Sequence, residues 1–241
     1  MNETMKVLVN RKTHRDFDEQ YVIPEEALNS ILKAARQAPS WMNGQFYSIF
    51  VIRDEQIRKQ LVEWNPGNPH MLKSSVFLIF AGDLYRTQCV SEEYGVENLT
   101  SESIDSTLIA ATDAALALGS AVTAVESMGL GSVVVGSIRK HGKEISELLE
   151  MPAGMFPLFG LSIGKPTVEM KVKPRLPKET IIFHEKFTSY PYTLIEEYDE
   201  TMEKFGEVRE TKLWSKKFAD YFSSKPNRLI DQLLKLKRVF K

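Results

Sequence analysis

The side chains with the most chemical reach in this 241-residue chain fall in two short basic clusters. Arg11-Lys12-Thr13-His14-Arg15 places cationic groups and a hydroxyl within five residues, and Phe17 closes the segment. Convergent guanidinium, ammonium and hydroxyl donors suit a phosphate, because each bond to the anion is charge-assisted. Lys173-Pro174-Arg175 is the second cluster, two cations aimed by a proline-stiffened backbone. Taken alone, either cluster also suits solvated surface. Self-contained catalytic signatures fail. Gly160-Leu-Ser-Ile-Gly164-Lys165 is one residue short of a phosphate loop, and Pro166 stands where Ser or Thr would ligate magnesium. Gly129, Gly131 and Gly136 follow a helical stretch rather than a strand and miss the dinucleotide-binding spacing. His14, His70, His141 and His184 are scattered without metal-ligand spacing. No Gly-x-Ser-x-Gly elbow occurs, and Cys89 lacks a nucleophile signature and reads as ordinary packing. An enzyme made from this chain therefore needs a borrowed cofactor.

The elements that must carry these residues follow from hydrophobic periodicity. A short N-terminal helix precedes Arg11. Pro24–Arg36 reads as a helix, with Leu28, Ile31, Leu32 and Ala35 on one face. Strands are expected at Phe46–Arg53, Ser75–Gly82, Ser132–Gly136 and Phe156–Gly164. Short helices are expected at Glu55–Glu63, capped by Asp54, and at His141–Leu149; Trp64–His70 reads as loop. Ser103–Met128 is the longest helix. Ile104, Leu108, Ala111, Ala115, Val122 and Val125 form one stripe, and Ala110, Ala114, Ala117 and Ala121 a second. Two apolar faces imply a helix packed on both sides, either central in the domain or shared with a partner chain. Lys165–Pro177, with three prolines, is extended, and Tyr190–Glu207, Glu210–Phe222 and Arg228–Phe240 read as helices. The last is basic, in a tail of net charge +5 from Lys225 onward, and reads as a solvated helix docked on an acidic neighbour, with Glu196–Glu210 available. Strands alternating with helices in this order mean α+β or α/β.

Composition narrows the function classes. Hydrophobic residues at 43% and charged residues at 26% describe a globular chain with a full core, in one large or two small domains. Thirty-one Lys+Arg against thirty-two Asp+Glu argues against a nucleic-acid binder or a polybasic membrane anchor. A single cysteine fits a reducing compartment. The N-terminus lacks the apolar core of a secretory signal, and Thr107–Val125 looks too polar to span a membrane. A cytoplasmic location is expected.

Five motifs, in order, resemble those of one family. Asn10-Arg-Lys-Thr-His-Arg-Asp-Phe17 and Ala38-Pro-Ser-Trp-Met-Asn-Gly-Gln45-Phe46 are similar to the opening and the first loop of the FMN-dependent nitroreductase family. Glu126–Arg139, Phe156–Pro166 and Lys173–Pro177 resemble its NADPH-dependent nitroreductase and flavin reductase subgroup. The resemblance implies a homodimeric α+β sandwich with a central mixed or antiparallel sheet flanked by helices. Residues 1–164 would be the FMN-binding core, and 165–241 an excursion wrapping the dimer partner rather than an independent domain. Arg11, Lys12, Thr13 and Arg15 would contact the FMN phosphate and the pyrimidine edge of the flavin. Ser40, Asn43, Gln45 and Asn68 would line the flavin, Val135, Gly136 and Ser137 would face its N5 region, and Lys173 and Arg175 would return to the phosphate and ring edge. No side chain would act as catalytic acid, base or nucleophile; Arg15 and Lys173 would stabilise negative charge developing on the ring. Arg209 and Lys212 are the nearest candidates for the 2′-phosphate of NADPH, with NADH as the other possible reductant and i,i+4 pairing with glutamates as their other role. The implied activity is ping-pong NAD(P)H oxidoreduction of nitroaromatics, quinones or free flavin. The alternative is a flavin-binding or redox-responsive protein without turnover.

Overall fold

The computed structural model describes residues 1–206, 212–223 and 229–239. Four strands, β1 (Tyr47–Ile52), β2 (Val76–Asp83), β3 (Gly131–Val135) and β4 (Met155–Gly164), form one sheet in the order β1-β2-β4-β3. All three pairings are antiparallel, which resolves the expected mixed or antiparallel sheet. The order follows from composition. β2 and β4 are the continuous apolar runs, nearly every residue is buried, and they take the two central positions. β1 and β3 carry exposed residues (Val51 and Val134) and form the edges.

Helices cover both faces. α2 (Glu25–Arg36) and α6 (Ile104–Ser127) pack with Val76, Leu78, Phe80, Leu161 and Ile163 of the sheet. Phe77, Ile79 and Ala81 point the other way, onto Leu61 of α3 (Glu55–Trp64), Met71 of α4 (His70–Lys73) and Ile145 of α7 (Gly142–Leu148). Each such fully buried large apolar side chain contributes roughly 2 kcal/mol. Asp54 caps α3 by accepting from the Ile57 amide at 2.8 Å, and Ser103 caps α6. α1 (Glu3–Val9) precedes the basic segment.

Several expectations change. The loop expected at 64–70 gives way at His70 to the short helix α4, and α5 (Tyr85–Glu93) has weak amphipathicity that left it unread. Cys89, expected in packing, is exposed on α5. α6 is apolar enough to cross a membrane by length and composition, with a mean hydropathy of 1.7, contrary to the reading that it is too polar. Its alanines nevertheless lie at the bottom of the core: Ala110, Ala114, Ala117 and Ala121 are fully buried, as expected for one stripe. The other stripe splits, with Val122 and Val125 buried while Ile104 and Leu108 are exposed in the chain.

The chain divides into two compact units, residues 1–170 with 228–241, and residues 171–227. The second contains α8 (Thr193–Phe205) and α9 (Trp214–Ser223); Asp199 of α8 accepts from the Ser215 amide at 2.9 Å and from its hydroxyl. α10 (Leu229–Leu236) belongs to the first unit, where it packs on α7 and on the 3-10 turn Ser137–His141. This corrects the solvated basic tail. Leu233 seats on Gly142, Val239 is fully buried, and Lys237 is buried with its ammonium donating to the Met151 carbonyl. Burial pushes the Lys237 pKa down.

Candidate functional site

The basic segment is held through its backbone. The His14 amide donates to the Ser132 carbonyl at 3.0 Å, Asp18 N to Lys165 O at 2.9 Å, and Thr167 N to Asp16 O at 3.1 Å. Residues 13–18 thus run beside the start of β3 and the end of β4. Gly131 and Gly164 face one another in register there, and a β-carbon on either would come within 2.8 Å of the His14 or Phe17 ring. The glycine pattern of the third and fourth motifs is therefore a requirement for close approach. Arg11, Lys12, Thr13 and Arg15 are half-buried. Arg11 donates to the Lys12 carbonyl at 3.2 Å and the Thr13 hydroxyl at 3.3 Å. Lys12 stands 4.0 Å from Glu169, whose side chain is 93% exposed, a contact loose enough to yield to an anion. Behind them lies Glu126, its carboxyl pushed up by burial although the Lys12 amide, Arg11 and Lys12 pull it down. Burial also lowers the His14 pKa, and its Nδ1 has no hydrogen-bond partner.

The loop at 40–46 is held by side chains instead. Met42, Asn43 and Gln45 have φ of 48°, 57° and 52°, three left-handed residues within four positions and none of them glycine. Each costs about 1 kcal/mol, so other contacts must impose the shape. Asp113 does so from α6. Its carboxylate, 1% exposed, accepts from Trp41 N at 3.0 Å, Phe46 N at 3.0 Å and Ser40 Oγ at 2.7 Å. Ser40 Oγ accepts in turn from Gln45 N at 2.6 Å, and the Gln45 amide donates to Asn43 O at 3.1 Å. From the other side Arg86 donates to Gln45 O at 2.6 Å while paired with buried Asp83 at 3.1 Å. The sequence reading missed Asp113, Asp83 and Arg86. A signal existed for the first: Asp113 is the single charged residue in Thr107–Val125.

A third group lies at the far end of β3, about 10 Å of strand from Ser132. Val135 ends the strand, Gly136 leads into the 3-10 turn, and Asn68 Nδ2 donates to Ser137 Oγ at 3.1 Å. Arg139 braces the turn by donating to Leu158 O at 3.0 Å, with its guanidinium 5.6 Å from the Phe159 ring centroid.

In the second unit, Arg175 donates to the Lys173 carbonyl at 3.1 Å. Lys173 and Lys212 line one cavity of about 520 Å³ with Tyr198, Trp214, Lys217 and Phe218. Lys212 pairs with Asp220 at 3.1 Å. Arg209 lies outside the described residues. Among the described residues no group of His, Cys, Asp and Glu could hold a metal ion.

Within the first unit the structure thus brings together Arg11 with Lys12 and Thr13, Ser40 with Asn43 and Gln45, and Asn68 with Ser137. The donor chemistry fits FMN: a cationic and hydroxyl-bearing segment for a phosphate, and amide and hydroxyl groups for the acceptor-rich edge of a flat ring. The nitroreductase family model matches residues 8–165 and the family's C-terminal domain model residues 173–238. An FMN reductase [NAD(P)H] of Bacillus subtilis is 35% identical, with 92% of each chain covered. An FMN reductase (NADPH) of the same organism is 31% identical over 98% of each. The solved structure of a hypothetical oxidoreductase from Bacillus subtilis superposes with a TM-score of 0.94 at 33% identity, covering 98% of both chains. With its sheet, its motif-bearing segments and most of its length matched in this way, the chain belongs to the nitroreductase family.

Proposed function

We infer that this protein is an FMN-dependent NAD(P)H oxidoreductase of the nitroreductase and flavin reductase type. The observation that carries the reading is the pairing, on one unit, of a half-buried cationic segment with a braced, strained loop and an amide–hydroxyl pair, in a chain related throughout to FMN reductases. When bound, FMN supplies the redox chemistry, taking hydride equivalents from NAD(P)H and passing them in a ping-pong cycle to nitroaromatics, quinones or free flavin.

Arg11, Lys12, Thr13 and Arg15 bind the phosphate and one ring edge. Asn43 and Gln45, aimed by the left-handed backbone, and Asn68 with Val135–Ser137 hold and orient the ring. Ser40 acts as the brace that ties Gln45 to Asp113. Lys173 and Arg175 add positive charge, and Lys212 with Arg209 is the place for a 2′-phosphate; the cavity beside Lys212, walled by Tyr198, Trp214 and Phe218, supports a nucleotide there. Arg15 and Lys173 stabilise negative charge at the ring, and no other catalytic side chain is required. The protein acts as a homodimer in the cytoplasm. The exposed Ile104, Leu108 and Leu116 of α6 support a partner surface; of the excursion at 165–241, α10 stays on its own chain's core, and the rest serves as an arm over the partner rather than a separate domain.

A visible spectrum of the purified protein tests the reading. A bound flavin is expected, bleached by NADPH or NADH and restored by a quinone. Protein that stays colourless after incubation with FMN overturns it, and bound flavin that no nicotinamide bleaches favours the storage alternative.

A further inference from the structure

Four polar side chains, drawn from the middle of the sheet, the start of α4, the loop before it and the turn after β3, form one continuous hydrogen-bonded line. Ser162 of β4, fully buried between β2 and β3, lies with its Oγ 3.0 Å from His70 Nδ1. His70, 2% exposed, places Nε2 3.3 Å from Asn68 Oδ1. Asn68 Nδ2 then donates to Ser137 Oγ at 3.1 Å. The orientation of the Asn68 amide sets the direction of the line. Asn68 turns its amide nitrogen to Ser137, so its oxygen, which can only accept, faces the ring. A neutral imidazole must then carry its proton on Nε2, leaving Nδ1 to accept from the Ser162 hydroxyl.

We propose that His70, locked by Ser162, is a positioning residue that fixes the amide of Asn68 and, through it, the hydroxyl of Ser137 for contact with the flavin. The proposal rests on the reading that Asn68 and Ser137 face that cofactor. With the amide fixed, one N–H of Asn68 and the O–H of Ser137 are left to donate to a further acceptor. Both are donors, which suits a ring edge of carbonyl oxygens and unprotonated nitrogens. Released from His70, the Asn68 amide can turn over. Its oxygen then takes the Ser137 proton, and the pair loses its outward donors. A serine in the middle of the sheet thereby sets the polarity of a surface it does not touch.

The test is a double-mutant cycle read by FMN affinity, from quenching of flavin fluorescence with the full-length protein. Asn68→Ala is expected to raise the FMN Kd roughly tenfold and Ser162→Ala roughly fivefold, the size of one lost, well-placed hydrogen bond. In the Asn68→Ala background, Ser162→Ala is expected to cost nothing further, because its effect passes through Asn68. His70→Leu is expected to match Asn68→Ala, while His70→Gln, whose amide still donates to Asn68 Oδ1, recovers most of the affinity. Should either His70 variant fail to fold, the Ser162 and Asn68 arms decide alone. Additive losses from Ser162→Ala and Asn68→Ala overturn the proposal, since a general packing defect behaves that way. A Ser162→Ala Kd equal to wild type overturns it while leaving the flavin reading intact. An Asn68→Ala Kd equal to wild type removes Asn68 from the flavin site, and the positioning role falls with it.

Discussion

In the loop at 40–46 the backbone is strained and its polar groups are drawn inward to the buried Asp113 carboxylate, whereas in the segment at 11–15 no residue is left-handed and the ends of Arg11 and Lys12 are only loosely engaged. Asp113 and the Asp83–Arg86 pair impose a shape that the loop residues would not adopt alone. Ladder-like backbone bonds to residues 132 and 165–167 impose only a position on the basic segment. On the proposed reading, the contrast separates two ways of preparing for one ligand. Directional donors to a flat ring must be pre-aimed, because a misaligned hydrogen bond is weak. An anionic phosphate tolerates mobile donors, because a Coulomb attraction falls off slowly with distance and angle.

Breaking the rigid side gives the largest expected effect. Asp113→Ala leaves two part-buried amides and a hydroxyl without an acceptor and should cost about 3 kcal/mol of stability together with flavin retention, measured by denaturant unfolding and by absorbance of the purified protein. A variant that is destabilised yet keeps its flavin would show that the loop is not the flavin's support. On the electrostatic side, Lys12→Ala should weaken FMN binding about tenfold at low salt with an unchanged unfolding midpoint, and the gap should narrow as salt rises. Lys59→Ala, which removes only a surface pair with Glu55, is the control. Gains are also expected. Met42 is 81% exposed at φ 48°, so Met42→Gly should raise stability by about 1 kcal/mol, whereas a glycine introduced in the relaxed basic segment should lower it.

The smallest effect concerns Glu126. Its carboxyl is pushed up by burial, so the folded state binds a proton that the unfolded chain releases more readily. That contribution is present in acid and is lost as pH rises through the folded-state pKa. Glu126→Gln removes the dependence, and unfolding curves across that range should show the variant gaining on wild type as pH rises.

Much of the candidate site was legible because the residues proposed for it lie in contiguous stretches. Arg11–Arg15, Ser40–Gln45 and Val135–Ser137 are each read as single motifs, and the four strands were placed to within a residue or two by their apolar runs. The supports were not legible. Asp113 lies 73 residues from Ser40, and Ser162 lies 92 from His70, so no local pattern joins them. α5 has a weak amphipathic signal, and α4 is a single turn. The last helix was read correctly as amphipathic, but as a basic, solvated helix docked on an acidic neighbour, because charge count cannot reveal that Leu233 has Gly142 to sit on.

The sequence by itself determined the two unbroken apolar runs where central strands must be, and its five ordered motifs carry the resemblance that implies FMN. Periodicity and spacing suffice for such features because they depend on neighbours along the chain. Only the tertiary structure decided which buried carboxylate bends the 40–46 loop, why Gly131 and Gly164 must be glycine, and how a histidine set aside as scattered comes to join Ser162 to Asn68. Those depend on pairs that are distant in sequence and adjacent in space. Hydrogen-bond geometry and close approach act only on the second kind of distance.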